Sequence, residues 1–255
     1  IFIIANFLFQ MPQNVMNSNN KVDAASMARK EVFEYLSYAK NGEVENLKNF
    51  IGKYLKEHND TKTNLSEEDV MSNIKDGNGR TALHFASSSG SLDMVQWITA
   101  KFSSRVIDSK DESGLTPLSL SFITGHLKVA ENLIRAGADV NIPDNEGITC
   151  LHRAAGHGDE EAVGLLLANK ADISLQSQTG SALHWAVGGG HTVIVKKLLS
   201  NEADINELNK KNHSPLLIAA ASGHEEIAIV LINAGADLDK IYDGDYTILH
   251  IMADL

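Results

Sequence analysis

A chain of 255 residues that is 43% hydrophobic, 22% charged and 6% aromatic can bury a core without disulfide or metal staples. Its 22 Lys and Arg against 33 Asp and Glu leave a formal charge of −11, which excludes nucleic acid or an anionic membrane as a partner for the surface as a whole. The single cysteine, Cys150, excludes an internal disulfide and a cysteine-cluster metal site, and it fits a reducing compartment.

The first residues, Ile1-Phe2-Ile3-Ile4-Ala5-Asn6-Phe7-Leu8-Phe9, are apolar but too few to cross a bilayer, which takes roughly 20. They read either as the tail of a signal peptide or as carry-over ahead of a start at Met11. The second reading is preferred, because Met11 opens a polar, Asn-rich stretch, Pro12 to Ser26, without a core pattern. Residues 1–27 are therefore expected to be a disordered or non-native segment. Residues 28–56 read as a degenerate helical repeat. Val32, Phe33, Tyr35 and Leu36 precede a turn at Asn41-Gly42, and Val44, Leu47, Phe50, Ile51 and Leu55 follow it. Residues 57–73 are too polar to continue that helix and are expected to form an inserted loop.

From residue 74 the chain repeats itself. Thr81-Ala82-Leu83-His84, Thr116-Pro117-Leu118-Ser119, Thr149-Cys150-Leu151-His152, Ser181-Ala182-Leu183-His184, Ser214-Pro215-Leu216-Leu217 and Thr247-Ile248-Leu249-His250 are one motif, spaced 35, 33, 32, 33 and 33 residues apart. Nine residues after the first five starts come Gly90, Gly125, Gly158, Gly190 and Gly223. The Thr or Ser is expected to cap a first helix, with Pro117 and Pro215 at its first position, where no N–H is needed. Leu83, Leu118, Leu151, Leu183 and Leu216 enter the core. The glycine makes a left-handed turn into a second helix, such as Val129-Ala130-Leu133-Ile134 or Ile194-Val195-Leu198-Leu199. Gly137 and Gly235 end second helices before a hairpin, as in Asp139-Val140-Asn141. Lys170 and Glu202 stand where that glycine belongs, at an expected cost of about 1 kcal/mol each.

This pattern resembles the ankyrin repeat over Ile74 to Leu255, with five full repeats and a truncated sixth. The resemblance implies an all-α fold: a solenoid of helix-turn-helix units joined by β-hairpin loops, each unit covering its neighbour. The order of parts, with a helical start, an insert and then the repeats, also looks like the ankyrin part of ankyrin–tetratricopeptide proteins of plants and protists. That likeness implies a co-chaperone-like adaptor. The sixth repeat breaks off after Ile251-Met252-Ala253. An otherwise monomeric protein is therefore expected to fray or self-associate at that end.

The search for chemistry returns no catalytic group, metal site or cofactor. Of ten histidines, His84, His152, His184 and His250 share one motif position, and His126, His191 and His224 follow the turn glycine. The resemblance places the first set in a capping network and the second at the start of the outer helix. His157 stays as a contact candidate. Gly188-Gly189-Gly190 lacks the Lys-Ser/Thr of a phosphate loop. Cys150 has no base at a fixed neighbouring position and reads as an inert buried thiol. Glu160-Glu161 and Glu225-Glu226 read as solvated helix starts.

What remains is a concave surface for a protein partner. Four residues after each start lie Phe85, Leu120, Arg153, Trp185 and Ile218; Ile123 and His157 lie further along the same helices. The hairpin tips add Arg80, Glu112, Glu146, Gln178 and Lys210. Arg153 and Trp185 lead, being residue types enriched in binding hot spots, and Gly156, Gly188 and Gly189 beside them are expected to leave a shallow pocket. The expected function is a cytoplasmic, non-enzymatic protein-binding module, with a nuclear location also open. The alternative is the regulatory ankyrin part of a larger enzyme or channel whose active portion lies beyond Leu255.

Overall fold

A computed structural model describes residues 29–58, 64–238, 241–242 and 246–247. The described residues divide into two compact units, one ending at Asp139 and one beginning at Val140.

The first unit contains α1 (Arg29–Asn41), α2 (Val44–His58), α3 (Glu67–Asn73), α4 (Ala82–Ser88), α5 (Leu92–Lys101), α6 (Ser104–Ile107), α7 (Pro117–Ile123) and α8 (Leu127–Arg135). Inner helices α1, α4 and α7 pack side by side, and α2, α5 and α8 form the outer layer. Between the layers lie Tyr35, Leu47, Ile51, Leu83, Met94, Ile98, Leu118 and Leu133, all but closed to solvent. Two extra residues lengthen the first of the six repeats to 35, and they fall where Phe102 and α6 replace the usual glycine end of the outer helix.

The segment expected to be a loop is partly helical. Its polar residues build α3: Ser66 Oγ accepts from the Asp69 amide at 3.1 Å, and Asp69 accepts from the Ser66 amide at 3.0 Å, a reciprocal capping box. Three acids in the first turn complement the helix dipole. The turn then buries Val70, Met71 and Ile74 completely, and the Tyr35 hydroxyl donates to Met71 Sδ at 3.0 Å. Lys101, Ser103 and Arg105 bind Glu67, Glu68 and Asp69, clamping α3 to the end of α5 and to α6. Met71→Ala is therefore expected to cost about 3 kcal/mol in urea unfolding, as for a core methionine; a true loop residue would cost almost nothing.

The second unit contains α9 (Cys150–His157), α10 (Glu160–Ala168), α11 (Ala182–Gly188), α12 (Thr192–Ser200), α13 (Pro215–Ala221) and α14 (Glu225–Asn233). Its inner helices are α9, α11 and α13. A short antiparallel ribbon, β1 (Ile241–Tyr242) and β2 (Tyr246–Thr247), pairs Ile241 with Thr247 and Tyr242 with Tyr246. Thr247, read as a helix cap, lies in that ribbon, and the helix expected after it falls outside the described residues. So do residues 1–28 and His250.

The local chemistry follows the motif. Pro117 and Pro215 open α7 and α13, capped by Thr116 and Ser214. The five turn glycines lie at φ between 69° and 77°, and Lys170 and Glu202 adopt the same left-handed region at 63° and 67°. The side-chain strain at those two sites is real.

Candidate partner-binding surface

Where the motif carries histidine, the cap is a box closed by an imidazole. The Thr81 amide donates to His84 Nδ1 at 3.1 Å, so that nitrogen carries no proton, and Nε2 meets the Leu115 carbonyl at 3.1 Å. His184 repeats this with Ser181 (3.2 Å) and the His213 carbonyl (3.2 Å). His152 accepts from Thr149 at 3.2 Å, but its Nε2 faces the Leu175 and Gly180 carbonyls without closing a bond. Burial pushes the proton affinities of His84 and His152 down to about 4 and lowers that of His184. His126, His191 and His224 stand at the N-cap positions of the outer helices without a side-chain capping bond. His191 also lies against Gly156, whose carbonyl is 3.1 Å from its Nε2.

The hairpin tips hang on one side chain each. Asp76, Asp111, Asp144 and Asn209 accept two backbone N–H groups through one oxygen, at 2.8 to 3.0 Å. Sequence reasoning missed these anchors, although each stands five residues before a motif start. The exception is Ser177, four residues before Ser181. Its tip closes from the Ser177 amide to the Gly180 carbonyl, one residue tighter than the others, which is where the 32-residue spacing arises.

The expected contact residues lie on these tips and inner helices, but several are committed to the fold. In the first unit Ile123 and Glu112 are exposed and Phe85 is half-buried, whereas Leu120, expected on the exposed side, is buried. Arg80 Nε donates to Asp111 Oδ2 at 3.2 Å, tying neighbouring tips together. In the second unit Arg153 pairs with Asp144 at 2.5 Å, and the arginine side chain is only 24% exposed. Glu146, His157, Gln178 and Lys210 are exposed and Ile218 is half-buried. Lys210 Nζ donates to Gln178 Oε1 at 2.8 Å, and His157 Nδ1 lies 2.8 Å from the Arg153 carbonyl.

Trp185 is held on three sides. Its indole N–H donates to Ser177 Oγ at 3.0 Å, its ring meets His152 edge-on at 5.9 Å, and its Cε3 fills the space beside Gly156. The pocket expected over the glycines is therefore absent at Gly156, filled by Trp185, and at Gly189, filled by His191; Gly188 alone is open. Alanine at 156 would put Cβ 2.7 Å from Trp185 Cε3, whereas at 188 the nearest atom is 3.9 Å away. Gly156→Ala is expected to cost about 1–3 kcal/mol and Gly188→Ala to gain roughly 0.5–1 kcal/mol, measured by chemical denaturation.

Stacked helix pairs with hairpin tips hung on Asp or Asn define a helical repeat that presents an extended surface for contact. The family described as Ankyrin repeats (3 copies) matches residues 24–144, 101–177 and 151–242, and the chain belongs to it. It is 30% identical over 205 residues to the Nuclear factor NF-kappa-B p105 subunit of Gallus gallus, covering 76% of this chain and 21% of that protein. It is 29% identical over 173 residues to the Probable 26S proteasome regulatory subunit p28 of Saccharomyces cerevisiae, covering 66% of this chain and 76% of that protein. Protein phosphatase 1 regulatory subunit 12A of Mus musculus is 40% identical over 88 residues, 34% of this chain and 8% of that protein. Against the p105 subunits the chain spans only 13% and 21% of their length. Its ankyrin repeats are a protein–protein interaction module, and among the described residues no helix is long and apolar enough to cross a membrane.

Proposed function

We propose that the chain is a non-catalytic regulatory or adaptor module that holds a partner protein against its inner helices and hairpin tips. The observation that carries this is the second unit's inner side, where exposed His157, Gln178 and Lys210 share the inner helices and tips with half-buried Trp185 and Ile218. Aromatic and cationic groups at the edge of an apolar step are what binding hot spots are made of. Two of the relatives are named as regulatory subunits, which favours regulation by contact. The co-chaperone-like role is a narrower form resting on the order of parts alone. The buried thiol of Cys150 suits a cytoplasmic or nuclear setting.

The test is a pull-down with mass spectrometry, comparing the wild type with a His157→Ala/Lys210→Ala/Ile218→Ser variant. These three sites spare the Arg153–Asp144 pair and the Trp185 contacts. One partner enriched by the wild type and lost by the variant, with circular dichroism unchanged, supports the reading. Equal capture removes this face from consideration.

A further inference from the structure

The outer side of the second unit carries a feature that partner contact on the inner helices does not use. Among the described residues the exposed large apolar side chains are Phe33, Ile123, Val193 and Ile229; in repeat register Val193 on α12 is level with Glu226 on α14, and Ile229 is level with Lys196. Val193 and Lys196 sit one turn apart on α12, Glu226 and Ile229 one turn apart on α14. The Lys196–Glu226 ion pair at 3.5 Å brings the two turns together. A groove of about 320 Å³ opens here, lined by Gly158, Glu160, His191, Val193, Lys196 and Glu226 among others.

The charge around it is one-sided. The starts of α10 and α14 read Glu160-Glu161 and Glu225-Glu226, while the start of α12 between them reads Thr192-Val193. An apolar step thus stands between two acidic pairs. Helix-dipole preference explains the glutamates but not the exposed valine and isoleucine, which gain nothing from water. Among the described residues the carboxylates of Glu160, Glu161 and Glu225 have no ion pair. The nearby cations are engaged, Lys196 with Glu226 and Lys197 with the Glu160 carbonyl at 3.2 Å.

We propose that this groove docks a basic amphipathic segment of a partner protein. Its apolar face sits against Val193 in the groove and continues to Ile229 one turn further along α14, past the Lys196–Glu226 pair, and Lys or Arg on either side reaches Glu160–Glu161 and Glu225. An acidic or purely polar segment gains neither contact. This surface is separate from the inner-helix face, so either stands without the other.

The experiment is fluorescence anisotropy on the 255-residue chain. The probe is a labelled amphipathic helix of leucine and lysine; an alanine–lysine peptide of equal charge and a leucine–glutamate peptide are controls. The leucine–lysine peptide is expected to bind, with amide shifts confined to the starts of α10, α12 and α14. Val193→Ser/Ile229→Ser is expected to weaken it about tenfold, as loss of two apolar contacts implies. Glu160→Gln/Glu225→Gln, which leaves the apolar step intact, is expected to weaken it and flatten its salt dependence. Equal binding by both variants, equal binding of the alanine–lysine peptide, or shifts on α9, α11 and α13 would each overturn the proposal. So would sedimentation showing that the Val193→Ser/Ile229→Ser change abolishes a self-association of the wild type, since a second copy would then be the occupant.

Discussion

Taking the protein from pH 7 to pH 4 is expected to lower its unfolding free energy by several kcal/mol, with the loss beginning near pH 6.5, before ordinary carboxylates titrate. His84 and His152 are neutral in the fold because burial disfavours the imidazolium, and both titrate near 4 rather than at the ordinary 6.5. Between those values the unfolded chain binds protons that the folded chain does not, so stability is complete above about 6.5 and falls as the pH drops toward 4. At 1.36 kcal/mol per unit this is about 2–3 kcal/mol for each ring, and His184 adds in the same direction. The geometry gives the same sign: protonating Nδ1 sets a proton against the Thr81 or Thr149 amide that donates to it. Urea titrations across this range check it. His84→Gln/His152→Gln keeps a capping-box acceptor while removing the titration, and is expected to flatten the slope. A wild-type stability unchanged between pH 6.5 and 4.5 would be incompatible with neutral buried rings.

Trp185→Ala is expected to cost about 3 kcal/mol, which makes it a test of the fold before it is a test of binding. The loss has three parts: the edge contact with His152, the void left beside Gly156, and the indole hydrogen bond to the Ser177 hydroxyl, which keeps its bonds to Gly180 and Thr179. Trp185→Phe keeps a ring there and gives up only the indole hydrogen bond, so its expected cost is nearer 1 kcal/mol. Denaturation followed by circular dichroism separates the two. A Trp185→Ala protein as stable as the wild type would mean the indole is a free contact group after all. Any binding deficit of Trp185→Ala has to be compared at matched folded fraction.

Much of the architecture is legible without coordinates, and particular residues show why. The motif starts, the turn glycines and the prolines at the first helical position each report a local backbone requirement, and local requirements survive in sequence. Even the left-handed Lys170 and Glu202 are legible, because spacing alone marks their positions. The insert is less so: the acids of α3 look like solvent-facing polarity, but they are a helix start whose burial depends on Met71 meeting Tyr35, 36 residues away. Leu120 fails for the same reason, since a position on the motif's outward side is covered by packing that no spacing reveals.

The candidate surface divides along the same line. Residue type and position bring Arg153, Trp185, Gln178 and Lys210 to the inner side of the second unit, and the repeat period alone is enough to do it. Whether each is available to a partner depends on neighbours far off in the chain or across a turn: Asp144 takes Arg153, Ser177 and Gly156 take Trp185, and Trp185 and His191 close the spaces that glycines were expected to leave open.

By itself, then, the sequence determines the repeat, its period, where its inner helices begin and the lack of an internal disulfide among these residues, because all of these depend on residues within one turn or on composition. Tertiary structure alone decides which histidines are neutral, which glycines are filled, that α3 belongs to the core, and that Val193 and Ile229 stand exposed beside unpaired glutamates. Burial and pairing are properties of what lies opposite, and only the packed chain brings opposites together.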